Sequence, residues 1–141
     1  VKYFSYVYRS LKNEGLFILE LAGGPGMTEE AKEHRRFRKN GKPWYSYVWE
    51  TKRFSPVTHE GLWTISFKFP DGSVMKDAFK YDWRLWTIPE LRSALEDAGF
   101  KETLVYWEEG DEDGDGNGVY YPTEVGENDH SWVSYVMGHK V

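Results

Sequence analysis

The feature that most constrains the fold is a short, wholly apolar strand that follows directly after an amphipathic helix. Residues 1–11 predict the helix, because apolar side chains recur along one face at helical spacing: Val1, Phe4, Val7 and Leu11. The strand predicted over 16–19 is apolar at every position. Such strands are typical of sheets that are covered on both faces, as in doubly wound α/β folds. We therefore expect an α/β fold in which this strand is buried on both sides.

The composition is that of a soluble globular chain and excludes several kinds of site. A length of 141 residues predicts a single domain over 1–141, and an aromatic content of 18% supplies large side chains for a core. The absence of cysteine excludes disulfides, thiolate catalysis and cysteine-bound metal centres, and it fits a reducing, cytoplasmic location. A formal net charge of −5 argues against a nucleic-acid partner. No apolar run approaches the roughly 20 residues of a membrane span, so we expect no membrane partner.

The middle of the chain predicts a layer of antiparallel strands. Trp63, Ile65, Phe67 and Phe69 alternate strictly with smaller or polar residues, residues 45–50 alternate in the same way, and a further strand is predicted over 74–81. The Asp71-Gly72 pair supplies turn residues between the last two segments. We therefore expect an inserted three-stranded antiparallel meander over 44–81.

The segment before this meander predicts a loop followed by a helix. Residues 23–26 form a loop of glycine and proline that no helix or strand would continue through. Thr28 is a candidate N-cap, and acidic residues follow it where the helix dipole favours them. Basic residues then accumulate towards Asn40-Gly41, where the predicted helix ends.

The last third of the chain predicts a helix and two further strands. Thr87 and Glu90 form the pattern of a capping box, and Gly99 ends the helix that begins there. Strands are predicted over 103–107 and 132–137, and an acidic loop is predicted over 109–130 between them.

Taken in order, these elements resemble the carboxyl-terminal half of a class I S-adenosylmethionine-dependent methyltransferase. Residues 8–20 are similar to that family's helix, lysine-containing turn and fifth strand. Residues 86–100 are similar to its late helix, which commonly ends in Ala-Gly-Phe before the sixth strand. The resemblance covers residues 1–22 and 81–137, and the meander between them looks like an insertion that some members carry.

The resemblance implies half of a doubly wound sheet, in which the family's strands lie in the order five, seven, six. The last strand would run antiparallel between the other two, and the outer edge of the first strand would be exposed and prone to self-association. The family's glycine-rich cofactor loop has no counterpart in the sequence. S-adenosylmethionine is therefore expected as the cofactor of a full-length parent enzyme, and the present chain is expected to bind no cofactor and to be inactive alone. Because Val1 is not an initiator Met, we expect it to be a boundary within that parent.

The resemblance also implies an acceptor-substrate pocket near the junction of the meander and the late helix. The candidate substrate-binding residues there are Tyr81, Trp83, Arg84 and Trp86, with Gly23 and Gly24 just past the first strand. Aromatic walls and one arginine would suit an apolar acceptor with a carboxylate, or a cationic amine stacked on tryptophan. The same side chains would equally serve to pack the meander against the helix, with Arg84 paired to a nearby carboxylate. No catalytic residue can be assigned.

Two other groups of residues, an acidic segment and the histidines, lack the spacing that a metal site requires. Residues 111–116 match the start of a calcium loop, but the twelfth position is Pro122 where a bidentate glutamate is required. We interpret them as a solvated acidic turn. The four histidines show no His-x3-His spacing, so no metal site is expected.

A different class of function is also consistent with the sequence. The chain would then be a non-catalytic binding or dimerisation module that uses the aromatic meander as its contact surface. A large exposed aromatic face would favour this alternative.

Overall fold

A computed structural model describes residues 1–110 and 116–141 of the chain. The structure divides into two compact units, whereas the sequence predicts one domain. Unit 1 comprises Val1–Gly24 and Trp86–Val141, and unit 2 comprises Pro25–Leu85. Unit 2 is thus inserted, in sequence, between the two parts of unit 1.

In chain order, the described residues form α1 (Lys2–Ser10), β1 (Leu16–Gly23), a short 3-10 turn (Pro25–Met27), β2 (Lys32–Lys39), β3 (Lys42–Phe54), β4 (Glu60–Lys68), β5 (Val74–Arg84), α2 (Ile88–Ala98), β6 (Glu102–Gly110), β7 (Gly116–Pro122) and β8 (Trp132–His139).

The sheet of unit 1 has the strand order β1-β8-β6-β7, and all neighbouring strands are antiparallel. Because β8 runs antiparallel to both β1 and β6, these two strands are parallel to each other. This is the order expected from the resemblance, with the last strand between two earlier ones. The C-terminal residues therefore form the middle of the sheet, where Val136 is fully buried.

The α2 helix begins and ends as its sequence predicts. The Thr87 hydroxyl accepts a hydrogen bond from the Glu90 N–H at 3.3 Å, and the Glu90 carboxylate accepts one from the Thr87 N–H at 2.9 Å. Gly99 ends the helix with a φ of +116°, a conformation that glycine adopts without strain.

Both helices pack on one face of this sheet, where the core of unit 1 lies. Leu95, Phe100 and Val136 form its buried centre, and the partly buried side chains around it come from both helices and from β1. The alternate residues of β1 point to the other face, where Leu16 is 50% and Ile18 is 57% exposed. The expectation that β1 is covered on both sides is therefore wrong for this chain, because among the described residues both helices of unit 1 cover the same face.

Unit 2 is an antiparallel meander of four strands in the order β2-β3-β4-β5. The sequence predicts three strands over 44–81, and the additional strand is β2. The predicted helix up to Asn40-Gly41 is wrong, since Lys32–Lys39 is extended and pairs with β3. Asn40 and Gly41 form a two-residue hairpin turn with φ values of +51° and +74°. The backbone twist of such Asn-Gly turns matches the twist of the two strands that they join. The Asn40-Gly41 pair therefore favours a hairpin here and not the end of a helix.

The cross-strand register of unit 2 places its aromatic residues on one face. Opposed pairs include Phe37 with Tyr45, and Trp63 with Tyr81. Trp63 is fully buried and donates a hydrogen bond from Nε1 to the Met27 carbonyl oxygen at 2.9 Å. That bond satisfies the one polar atom of the indole and ties the 3-10 turn to the sheet.

The segment predicted as an acidic loop over 109–130 contains a strand. Gly116–Pro122 forms β7, which pairs with β6 as an antiparallel hairpin. The predicted loop is thus wrong for these residues. Positions 111–115, which carry the start of the calcium-loop pattern, lie outside the described residues. None of the described helices is long and apolar enough to span a bilayer.

Candidate functional site

A cavity of about 430 Å³ lies at one end of the unit 1 sheet, and we call it the edge cavity. The parallel strands β1 and β6 end there, at Gly23 and Gly110, and β8 begins there at Trp132. The lining includes three aromatic residues, Trp107, Tyr121 and Trp132, and four carboxylates, Glu108, Glu109, Glu127 and Asp129. The edge at which parallel strands have their carboxyl ends is where open α/β sheets bind ligands.

Two tryptophans form the apolar wall of the edge cavity. The ring centroids of Trp107 and Trp132 lie 5.0 Å apart, and Trp107 is largely buried. Glycines make room for both rings. A Cβ atom at Gly23 would lie 2.2 Å from Cζ2 of Trp132, and one at Gly126 would lie 2.9 Å from the Trp107 ring. The positions of the indoles therefore depend on the absence of side chains at these two glycines.

The electrostatics of the edge cavity are acidic. Glu108 accepts a hydrogen bond from the Gly118 N–H at 2.8 Å, and Glu109 accepts one from Asn117 Nδ2 at 2.9 Å. No lysine or arginine is among the described residues that line the cavity. A positive group on a ligand would therefore find both carboxylates and indole faces here.

A row of polar groups crosses the helix-free face of the sheet from β1 to β7. Tyr135 donates a hydrogen bond to Glu20 at 2.9 Å, and its ring lies 4.8 Å from that of Tyr120. The hydrogen bond with Glu20 raises the pKa of Tyr135. Burial, and then the charge of Glu108, raise the pKa of Tyr120. Both phenols are thus held in the neutral form.

A second cavity of about 330 Å³ lies between the start of α2 and the segment 123–126. Trp107 lines it as well, so this side chain forms part of the wall of both cavities. Arg92 donates to the Thr103 hydroxyl at 3.0 Å and to the Glu124 carboxylate at 2.6 Å. These bonds fix the arginine against the rim of this second cavity.

Three of the predicted site residues lie on β5 of unit 2. The rings of Tyr81 and Trp83 are 4.4 Å apart, and Tyr81 also stacks on Trp49 at 6.0 Å. Trp83 remains 45% exposed. Arg84 is the last residue of β5. Tyr81 and Trp83 thus belong to the aromatic face of unit 2, and their role in binding a ligand stays a prediction.

The other three predicted residues belong to unit 1. Gly23 adjoins the edge cavity through its contact with Trp132, whose ring fills the space that a side chain at Gly23 would take. Gly24 has a φ of +97°, and a Cβ atom there would lie 2.5 Å from the His130 carbonyl oxygen. Trp86 precedes α2 and is 44% exposed. Both glycines are therefore explained by close packing of protein, and the close approach of a ligand that the sequence predicts there remains untested.

The aromatic and acidic residues of the edge cavity are missing from the residues predicted by sequence. The strand order implied by the resemblance could have located these residues. If the strand over 132–137 lies between the other two and runs antiparallel to them, its first residue must meet the last residues of the others. This places Trp132 beside Trp107 and the start of the acidic segment 109–130, which by itself indicates only a partial calcium loop or a solvated turn. Among the described residues, no group of three or more metal-ligating side chains is placed to hold an ion.

Comparison with known proteins identifies the fold. No protein-family model matches the sequence. No curated protein matches it either. A solved structure described as an S-adenosylmethionine-dependent methyltransferase from Clostridium acetobutylicum ATCC 824 is similar to 97% of the chain, with a TM-score of 0.57 and 16% sequence identity. The chain has a methyltransferase-like fold. It spans about half of that protein, since 49% of the Clostridium chain is covered.

Proposed function

We propose that this chain is the acceptor-side, carboxyl-terminal portion of an S-adenosylmethionine-dependent methyltransferase. The observation that carries the proposal is the incomplete sheet of unit 1. Among the described residues β1 pairs only with β8, so its other edge is open, and Leu16 and Ile18 are half exposed on the face without helices. Open edges and apolar faces of this kind are normally covered in α/β folds. Further strands and helices of a parent enzyme would cover them.

We expect the described residues of this chain not to hold S-adenosylmethionine by themselves. The glycine-rich turn after β1 is the position in unit 1 that most resembles a cofactor loop, but its glycines face protein. The Trp132 ring lies against Gly23, and the backbone of 129–130 lies against Gly24. The cofactor would therefore be held by the part of the enzyme that precedes β1. The role left to the present residues is to bind and orient the methyl acceptor.

The edge cavity favours one of the two acceptor chemistries that are consistent with the sequence. Its lining combines two indoles with four carboxylates and includes no lysine or arginine among the described residues. A small molecule with an amine would suit this lining better than one with a carboxylate. Tyr81, Trp83, Arg84 and Trp86 remain candidate acceptor-binding residues, as do Gly23 and Gly24.

The proposal is tested by comparing residues 1–141 with the full-length product of the gene that encodes them. We expect the gene to encode a glycine-rich Asp/Glu-x-Gly-x-Gly-x-Gly segment before Val1. Isothermal titration calorimetry should detect S-adenosylmethionine binding to the full-length gene product and none to residues 1–141. A near-UV circular dichroism spectrum of residues 1–141 serves as the control for folding. Cofactor binding or methyl transfer by residues 1–141 alone would refute the proposal, as would a start codon directly before Val1.

A second candidate function is a dimerisation module that uses the aromatic face of unit 2. The exposed fractions of its outer rings favour it: Phe37 is 40%, Phe79 53% and Trp83 45% exposed. Sedimentation equilibrium of residues 1–141 tests this alternative. If the face mediates association, Phe79→Ser should weaken the dimer. The control Lys80→Ser should not, because adjacent residues of a strand point to opposite faces. If both substitutions weaken the dimer equally, or if neither does, the aromatic face does not mediate association. Any association would then be attributed to the open edge of β1.

A further inference from the structure

Unit 2 is basic although the whole chain is acidic. Unit 2 contains twelve lysine and arginine residues against eight aspartate and glutamate residues, whereas the whole chain has a net charge of −5. The hairpin of β2 and β3 has no carboxylate over 34–49, and it contributes five of these cations: Arg35, Arg36, Arg38, Lys39 and Lys42. The expectation that no nucleic acid is a partner rests on the charge of the whole chain, which conceals this local excess of positive charge.

One side of this hairpin combines two of the cations with aromatic rings. Arg35, Phe37 and Lys39 are alternate residues of β2, so they project from the same side of the sheet. Tyr47 of β3 is directly opposite Arg35, and Tyr45 is directly opposite Phe37. Residues that are directly opposite each other in paired strands also share a side. We call the surface formed by these five residues the hairpin face.

The rings near the turn of the hairpin are in contact with one another and with a cation. Phe37 and Tyr45 are stacked, with ring centroids 4.8 Å apart and an interplanar angle of 23°. Trp44, which is 51% exposed, borders the hairpin face, since its ring lies 4.8 Å from that of Tyr45. The Lys39 ammonium lies 5.3 Å from the centroid of the Trp44 ring. Positive charge and exposed aromatic surface are therefore adjacent on the same side of the sheet.

The second cation of the hairpin face, Arg35, lies beside Tyr47. Burial raises the pKa of Tyr47, and the positive charge of Arg35 opposes this rise, as expected for neighbours on one side of the sheet. Glu33 is the next residue of β2 on this side, so the stretch without carboxylates begins at Arg35. Arg35 and Lys39 are four residues apart in β2, which corresponds to about 13 Å along the strand. That length accommodates about four nucleotides of a single strand at an axial spacing of roughly 3.4 Å.

We propose that the hairpin face binds a single strand of nucleic acid. Bases stack on the exposed rings of Phe37 and Trp44, while Arg35 and Lys39 each neutralise a phosphate. A duplex fits this surface less well, because its base faces are hidden within its own stack. The side chains of an acidic peptide would neutralise the cations but have no ring to place on Phe37 and Trp44. The inference goes beyond the proposed function, since it rests on unit 2 alone and is independent of methyl transfer.

Fluorescence anisotropy of a short labelled oligothymidylate, titrated with residues 1–141, tests the contribution of the cations. We expect saturable binding whose association constant falls with salt at a log–log slope of about −1.4, since each neutralised phosphate of a single strand contributes about −0.7. Arg35→Gln should weaken binding and bring the slope to about −0.7. Arg36→Gln is the matched control, because Arg36 is the next residue of β2 and projects from the opposite side of the sheet. It should change binding by less than about twofold and leave the slope unchanged.

The contribution of the rings is tested with substitutions that keep an apolar side chain. Phe37→Leu and Trp44→Leu should each weaken binding of the oligothymidylate at least about fivefold, which is the lower limit for the loss of one stacked base. Far-UV circular dichroism of each variant serves as the control for folding. Unchanged binding by both variants would show that bases do not stack on these rings, and the proposal would be wrong.

The other contrary outcomes are distinct from one another. If Arg36→Gln weakens binding as much as Arg35→Gln, or if a duplex binds as tightly as the single strand, the interaction is general charge attraction. If a polyglutamate peptide binds more tightly than the oligothymidylate, the partner of this surface is an acidic protein. If the oligothymidylate does not bind and sedimentation equilibrium shows a dimer that Phe37→Leu weakens, a second copy of the chain covers the hairpin face. Each of these results would overturn the proposal.

Discussion

The contact between Gly23 and Trp132 makes a sharp prediction about the substitution Gly23→Ala. The added Cβ atom would lie 2.2 Å from Cζ2 and 2.4 Å from Cη2 of the indole. Carbon atoms in favourable contact are about 3.5–4.0 Å apart, so the ring must move by more than about 1 Å. Overpacking of this kind costs about 1–3 kcal/mol of the free energy of unfolding. The displacement should also alter the near-UV circular dichroism, because Trp132 lies 5.0 Å from Trp107.

The matched control for this substitution is Gly110→Ala. Gly110 ends β6 at the same edge of the sheet, but a Cβ atom there would meet no heavy atom of the described residues within 4 Å, and its φ is not in the left-handed region. We expect its free energy of unfolding to stay within about 0.5 kcal/mol of the parent value, as for a surface change. Urea unfolding followed by far-UV circular dichroism gives both values.

A double-mutant cycle shows whether the indole is the cause. If Trp132→Leu removes the clash, Gly23→Ala should cost at least about 1 kcal/mol less in that background than in the parent. An equal cost in both backgrounds would refute the reasoning, because the loss would then come from the backbone of β1. The near-UV circular dichroism spectrum of the control variant, Gly110→Ala, should match that of the parent protein.

Further predictions concern stability at three other places in unit 1. The hydrogen bond with Glu102 raises the pKa of His139, so the stabilisation it provides is present below the ordinary histidine pKa of about 6.5 and is lost as pH rises through the raised value. The urea midpoint should therefore fall across this range, and His139→Gln should flatten the profile. Thr87→Ala removes one half of the α2 capping box and should lower the free energy of unfolding by about 1 kcal/mol in urea titrations, whereas no change would show that the cap is dispensable. Leu95→Ala should cost about 3–5 kcal/mol because Leu95 is fully buried, and Leu16→Ala should cost well under 1 kcal/mol because Leu16 is half exposed. Equal thermal shifts for the two leucine variants would contradict the assignment of the core to one face.

The elements of unit 1 can largely be predicted, because local signals and packing agree there. The capping box before α2, the glycine after it and the apolar segment 16–19, which forms part of β1, each have one consistent structural interpretation. Which face of the sheet stays open cannot be predicted in the same way. The apolar pattern of β1 is compatible with two covered faces, and only the placement of both helices on the same side decides the matter.

Unit 2 is harder to predict because its first strand is highly charged. The segment 32–39 is rich in lysine and arginine, which are good helix formers, and its alternation is weak. The Asn40-Gly41 pair is compatible with a helix end and also favours a hairpin turn. Pairing with the aromatic strand β3 then overrides the local preference for a helix. The edge cavity of unit 1 escapes prediction for a related reason, since Trp107 and Trp132 are far apart in sequence and meet only through the strand order.

The central position of β8 also determines when the chain can fold during synthesis. The four strands of unit 2 are consecutive in sequence, so each finds its neighbour soon after it leaves the ribosome. β1 is made earlier than all of them, yet its partner, β8, is the last of the described strands to emerge. Throughout elongation β1 is therefore an apolar strand without a hydrogen-bonding neighbour among the described residues, exposed to aggregation or in need of a chaperone. Premature termination before residue 132 would leave unit 2 able to fold and would leave β1 and β6 with no strand to join them.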